Sequence, residues 1–184
     1  MAACFEVLDE YKNKNINLPT RSTKYSAGYD FEVAEDIVIP GYPGCYDKLV
    51  NMQKYAQVNF KENEPYTFDE MTTLTKLVDA KPTLVPTGIK CKLDRDTFLQ
   101  LSVRSSCPLK SWLVLANGVG IIDSDYYDAN GHIMFQIINL SPYDIQLKKG
   151  DKIGQGIILH YDTVENDSTT KERTGGFGST SQNK

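Results

Sequence analysis

The sequence predicts an all-β fold, a sandwich or barrel of roughly ten short strands with little helix. Three observations point there. Apolar and polar residues alternate in several short runs, glycine or proline bounds nearly every run, and an Asn-Gly pair separates two of them. The 184 residues make one ordinary domain, and 40% hydrophobic with 24% charged residues is a globular rather than a disordered composition.

The elements follow in chain order. Residues 11–23 are polar and read as loop. From Ser26, SAGYDFEVAEDIVIPG gives short strands bounded by glycine and proline. Residues 41–81 break the pattern, with scattered aromatics and charges and no strict alternation. Within them TFDEMTTLTKLVDA has helical spacing at Phe68, Met71, Leu74 and Val78, and Thr67 and Glu70 stand as in a capping box. The expectation is a helix of about three turns inside a surface insertion. In TFLQLSV, Leu99, Leu101 and Val103 alternate with polar residues, the period of a strand with one buried face. LVLANGVGIIDSDYY holds two apolar runs around Asn117-Gly118, a tight-turn signal that predicts a hairpin. Ile133, Phe135 and Ile137 share one face of another strand. Gly150-Asp151 reads as a further hairpin turn, and a last strand ends near Tyr161. The organisation is thus a single β domain over 1–164 with an insertion at 41–81, then a polar, glycine-rich tail over 165–184.

Composition narrows the function. The net charge of −4 disfavours a general nucleic-acid binder but allows a small anionic ligand met by a local arginine cluster. No apolar run approaches a membrane span, and MAACFEVLDEYKNKN lacks a basic region followed by an apolar stretch. The expectation is a cytoplasmic protein, acting in the host cytoplasm if its source is viral. Cys4, Cys45, Cys91 and Cys107 are scattered, and with His132 and His160 they form no zinc spacing.

Four stretches could carry chemistry. In VRSSCPLK, Arg104, Ser105 and Ser106 follow directly on a strand, where a guanidinium fork and two hydroxyls suit phosphate oxygens; a polar strand-end loop has the same residues. In NGVGIIDSDYY, Asp123 sits at the rim of an apolar strand, placed to deprotonate a water, although a surface turn reads alike. Tyr126 could pack or form a flat wall for a ligand. Gln155 falls inside the last strand, where its amide needs a partner. In the tail, Arg173 and Phe177 lie four apart in a segment too polar to fold alone, an arginine for a terminal phosphate and a ring for a nucleobase.

Together these stretches resemble one family, the trimeric deoxyuridine triphosphatases. Its five motifs appear in order as AGYDF (27–31), VRSSCPLK (103–110), NGVGIIDSDYY (117–127), GDKIGQ (150–155) and RTGGFGST (173–180), and LVPTGI (84–89) is similar to a family strand between the first two. The resemblance implies a β jelly roll in a homotrimer that hydrolyses dUTP to dUMP and pyrophosphate with Mg2+. Such an activity limits uracil in DNA and supplies dUMP for thymidylate synthesis. It further implies that Asp123 orients the attacking water, that Tyr126 lies against the deoxyribose, and that uracil is held by Asn117 and backbone groups through Gly120 and Ile122. Arg104, Ser105, Ser106 and Gln155 would bind phosphates, and Asp30 would meet the metal indirectly, through water. Arg173, Phe177, Gly178 and Ser179 would close over the nucleotide from a different subunit. No stable nucleic-acid binding and no membrane partner are implied. The second motif departs at Cys107-Pro108 and Ser111-Trp112, the link after Tyr126 is longer than usual, and the insertion has no counterpart. The alternatives are a dCTP deaminase of the same fold, and a trimer of this fold whose insertion at 41–81 binds a protein partner.

Overall fold

Alternation becomes packing most plainly in the strand Thr97–Val103, where Leu99 and Leu101 are buried and Phe98, Gln100 and Ser102 take the other face. The structure, a computed structural model, describes residues 3–41, 46–59, 64–78, 82–129 and 131–176. In chain order its elements are β1 (Cys4–Val7), β2 (Thr20–Arg21), β3 (Tyr29–Glu32), β4 (Ile37–Ile39), α1 (Tyr46–Asn59), α2 (Phe68–Val78), β5 (Thr83–Pro86), β6 (Ile89–Lys92), β7 (Thr97–Val103), α3 (Ser106–Ser111), β8 (Leu113–Leu115), β9 (Gly120–Asp123), β10 (Met134–Asn139), β11 (Ile145–Leu147) and β12 (Lys152–His160). The predicted all-β class holds. No helix among the described residues is long and apolar enough to cross a membrane.

The described strands form a five-stranded sheet, β2-β3-β12-β7-β9, a three-stranded sheet, β5-β10-β8, and the pairs β1-β6 and β11-β4. One core joins them. Phe31, Leu99, Leu101 and Ile153 come from the larger sheet, and Val85, Leu113, Phe135 and Ile137 from the smaller. The rings of Phe31 and Phe135 meet edge to face with centroids 5.8 Å apart. Side chains of this kind each stabilise the fold by about 1.5–3 kcal/mol when fully buried. The close approach between sheets depends on Gly154, where a Cβ would come within 2.0 Å of Phe135 Cε1.

Both expected hairpins are corners instead. Asn117-Gly118 does turn the chain, with Gly118 at φ +71° and its N–H donating to the Leu115 carbonyl at 3.1 Å. Yet β8 pairs with β10, and β9 pairs with β7 in the other sheet. The turn at Lys148–Asp151 likewise separates β11, which pairs with β4, from β12, which pairs with β3 and β7. A turn signal fixes where the chain reverses, whereas the burial of both faces selects the partner strand.

Among the described residues, those of 41–81, expected as an insertion with one helix, hold two helices. The capping box forms as read, with Thr67 N–H donating to Glu70 Oε2 at 2.7 Å and Glu70 N–H donating to Thr67 Oγ1 at 3.3 Å. Phe68 nonetheless lies 86% exposed. The unexpected α1 packs on α2 and buries Ala56. Its apolar residues are spread around the helix without a stripe, so period alone does not reveal it. A third, short helix, α3, begins at Ser106 within VRSSCPLK and runs to Ser111, where a polar strand-end loop is one of the two readings from sequence.

Gly154→Ala should destabilise the protein by about 1–3 kcal/mol, because the added methyl must displace Phe135 or part the sheets. A urea midpoint equal to that of wild type would show that the sheets tolerate the methyl.

Candidate active site

The strand β9 ends the larger sheet, paired with β7 on one side only. An edge strand leaves backbone N–H and C=O groups without a strand partner, and these can pair with a flat heterocycle. Beside this edge, where the corner at Asn117 crosses between sheets, lies a cavity of about 170 Å3. Leu101, Leu115 and Met134 give it an apolar floor, and Asn117, Asp123, Tyr126 and Arg173 bring polar groups to it. Gly120 lies against Leu101, where a Cβ would come within 3.1 Å of the leucine Cβ.

Tyr126 is one wall. It is 8% exposed, and its hydroxyl donates to the His132 carbonyl at 3.1 Å. Burial pushes the phenol's pKa up, against the opposing pull of Arg173. His132 is held in turn, its Nε2 accepting the Gly88 N–H at 3.1 Å, and burial lowers its pKa and keeps the ring neutral. The wall is therefore braced through the backbone of a buried histidine.

Arg173 crosses the mouth of the cavity. Its Nη2 donates to Asp123 and its Nε to Asp125 Oδ1 at 2.7 Å. Residues 173–176 lie against this pocket, where Asp123 and Asp125 supply the countercharge of the guanidinium. Phe177, Gly178 and Ser179 lie outside the described residues.

The expected phosphate ligands form a second cluster. Gln155 stands opposite Asp30 on β3 and Ser102 on β7, so the three share one row and one face of the sheet. A bulge between Lys152 and Gly154 brings Lys152 to that face as well, opposite Glu32. Asp30, 8% exposed, accepts from Ser22 Oγ at 2.6 Å and Lys152 Nζ at 3.0 Å on Oδ2, and its Oδ1 faces Arg104 Nε at 3.4 Å. Burial raises the pKa of Asp30, but Ser22, Lys152 and Arg104 outweigh it and hold the carboxyl below its ordinary value. Ser105 and Ser106 follow at the start of α3, which Cys107 fastens to β12 by donating from Sγ to the Ile153 carbonyl at 3.3 Å. That bond accounts for the cysteine in the second motif.

The two clusters do not meet within one chain. Asp123 stands opposite Phe98, four residues along β7 from Ser102, and β9 is three strands from β3. At about 3.3 Å per residue and about 4.8 Å between strands, Asp30 and Asp123 are on the order of 20 Å apart along the sheet. A triphosphate chain cannot span that gap.

Sequence reasoning missed Ser22 and Lys152. Lys152 was within reach, since GDKIGQ was singled out, but only the bulge shows that it shares a face with Gln155. Asp30 was expected beside the water shell of a metal, whereas its oxygens are engaged by Ser22, Lys152 and Arg104. Among the described residues no three His, Cys, Asp or Glu side chains converge to hold a metal.

Known proteins resemble this chain in sequence and fold. A dUTPase family model matches residues 70–181. A deoxyuridine 5'-triphosphate nucleotidohydrolase of Lactococcus lactis subsp. lactis (strain IL1403) is 35% identical over 181 residues, 96% of this chain and 95% of that protein. A dUTPase from Streptococcus mutans is similar in structure, with a TM-score of 0.63, 30% identity, and coverage of 88% of this chain and 98% of that one. A mutant dUTPase from phage phi11 of S. aureus, described as revealing the coordination of a structural Mg(II) ion, shares the fold, with a TM-score of 0.59, 18% identity, and coverage of 93% and 98%. The family match, the full-length relative and the shared fold agree, and the chain belongs to the dUTPase family.

Proposed function

We propose that the protein hydrolyses dUTP to dUMP and pyrophosphate, with Asp123 as the base that takes a proton from the water attacking the α-phosphorus. The observation that carries this reading is the meeting of edge-strand backbone, the Tyr126 ring and the Asp123 carboxylate around one cavity. Uracil has an acceptor, a donor and an acceptor along one edge, which suits the open backbone of β9 and the Asn117 side chain. The braced ring of Tyr126 would pack on the deoxyribose and leave a 2′-hydroxyl crowded and unpaired. Asp123 lies beside that wall, where a water can be positioned and activated. Mg2+ would arrive as counter-ion of the triphosphate, held by phosphate oxygens and water. The enzyme would act in the cytoplasm.

Arg104, Ser105, Ser106 and Gln155 would hold the phosphates, with Lys152 beside them and Asp30 keeping the cations in place. Their distance from Asp123 supports a site shared between copies. A contact that joins one copy's pocket to the next copy's phosphate cluster is head to tail, and such contacts close into a ring when the rotation between copies closes. The homotrimer of the family is the ring we infer. The surface of α1 and α2, with Val58 and Phe68 exposed, would remain free for a protein partner.

Pyrophosphate release from dUTP, but not from dTTP, dCTP or UTP, is the expected result, and ammonia release from dCTP would point to the deaminase instead. Asp123→Asn should leave the fold intact and reduce turnover about 100- to 10,000-fold, since an amide cannot take the proton; turnover within threefold of wild type would reject Asp123 as the base. Tyr126→Ala should raise UTP hydrolysis relative to dUTP, and an unchanged ratio of kcat/KM values would locate the sugar wall elsewhere. Two inactive proteins, Asp123→Asn and Arg104→Ala, should regain activity when refolded together, because a sound pocket can then meet a sound phosphate cluster. Mixed oligomers that form yet stay inactive would confine each site to one chain.

A further inference from the structure

His132 is buried, and the hydrolysis outlined above makes no use of its side chain. Its backbone carbonyl accepts the Tyr126 hydroxyl at 3.1 Å. The corner at residues 87–89 grips the chain on both sides of that carbonyl. The Ile133 N–H donates to the Ile89 carbonyl at 2.8 Å, and Thr87 Oγ1 donates to the Ile133 carbonyl at 2.6 Å. The imidazole completes the grip, its Nε2 accepting the Gly88 N–H at 3.1 Å. A ring nitrogen that accepts carries no proton, so the proton of the neutral ring is on Nδ1. The Tyr11 ring packs against the imidazole with centroids 5.3 Å apart. A chain of contacts therefore runs from the LVPTGI stretch through one imidazole to the ring of Tyr126.

We propose that His132 is a positioning residue for sugar selection, its imidazole fixing the carbonyl that holds the Tyr126 ring against a 2′-hydroxyl. This rests on the dUTP reading of the site. A wall rejects one extra hydroxyl only if the wall cannot yield, and a ring held at its hydroxyl yields least. Without the imidazole acceptor the buried Gly88 N–H is left unpaired, and the corner must shift to satisfy it. The peptide group after residue 132 shifts with the corner, and the Tyr126 ring gains the freedom to give way.

The ratio of kcat/KM for UTP to that for dUTP, measured on one preparation, does not depend on how much of the protein is folded. His132→Leu keeps the bulk and removes the acceptor, and it should raise this ratio about twofold to tenfold, the effect of one hydrogen bond. His132→Gln, with an amide oxygen at a reach similar to that of Nε2, should bring the ratio back towards wild type. In Tyr126→Phe there is no hydroxyl to hold, so adding His132→Leu should change the ratio little. An unchanged ratio in His132→Leu, or an equal rise in the Tyr126→Phe background, overturns the role. His132→Asn, too short to reach Gly88, gives the same comparison if the leucine protein does not fold. Fluorine NMR of 3-fluorotyrosine installed in place of Tyr126 reads the wall without nucleotide. Its resonance should move towards that of free 3-fluorotyrosine in His132→Leu and stay in place in His132→Gln; a resonance that stays in place in both overturns the role as well. A wild-type protein that releases no pyrophosphate from dUTP would overturn the functional reading instead, and the fluorine resonance would still decide whether His132 holds the ring.

Discussion

The register of β12 is the constraint on which the rest depends. This strand is hydrogen-bonded on both sides, to β3 and to β7. Its inner residues, Ile153, Gly154 and Gly156, fit beneath Phe135, Phe31 and Leu99, with no room for a Cβ at either glycine. A slip of one residue would turn Gln155 inward and the small inner residues outward, at a cost in buried apolar area that no surface contact repays. Packing on the inner face thus determines which charged groups gather on the outer one. Lys152, Gln155, Asp30 and Arg104 stand together because Gly154 stands under Phe135.

Local signals and their limits explain what could be read in advance. Strict alternation in Thr97–Val103 and Met134–Asn139 placed Leu99, Leu101, Phe135 and Ile137 in the core, because period two is dictated by the pleat itself. Asn117-Gly118 and Gly150-Asp151 marked chain reversals but not strand partners, since partner choice is a long-range matter of shared burial. The capping box announced α2 because its hydrogen bonds span three residues, whereas α1 has neither a cap signal nor a stripe. Asp123, Tyr126 and Arg173 were legible as chemistry and do converge on one cavity.

The charges of the site are balanced within the chain. The chain carries a net −4, and each cation expected to meet phosphate is held by a carboxylate: Arg104 and Lys152 by Asp30, Arg173 by Asp123 and Asp125. A triphosphate would therefore exchange one set of oxygens for another, and these carboxylates compete with it for the same cations. The Asp30 pairing also ties stability to pH. Its folded pKa lies below the ordinary value, so its contribution is present above the ordinary aspartate range and is lost as pH falls through the folded pKa.

The open edge of β9 carries a liability of its own. Backbone groups that can pair with a base can equally pair with a strand from another molecule, which is how sheets join edge to edge into aggregates. Here the exposed template is only four residues long and ends in the charge of Asp123. A longer or more apolar edge would read a base no better and would recruit foreign strands far more readily. Recognition through bare backbone sets an upper limit on the length of the strand that provides it, and β9 stays within that limit.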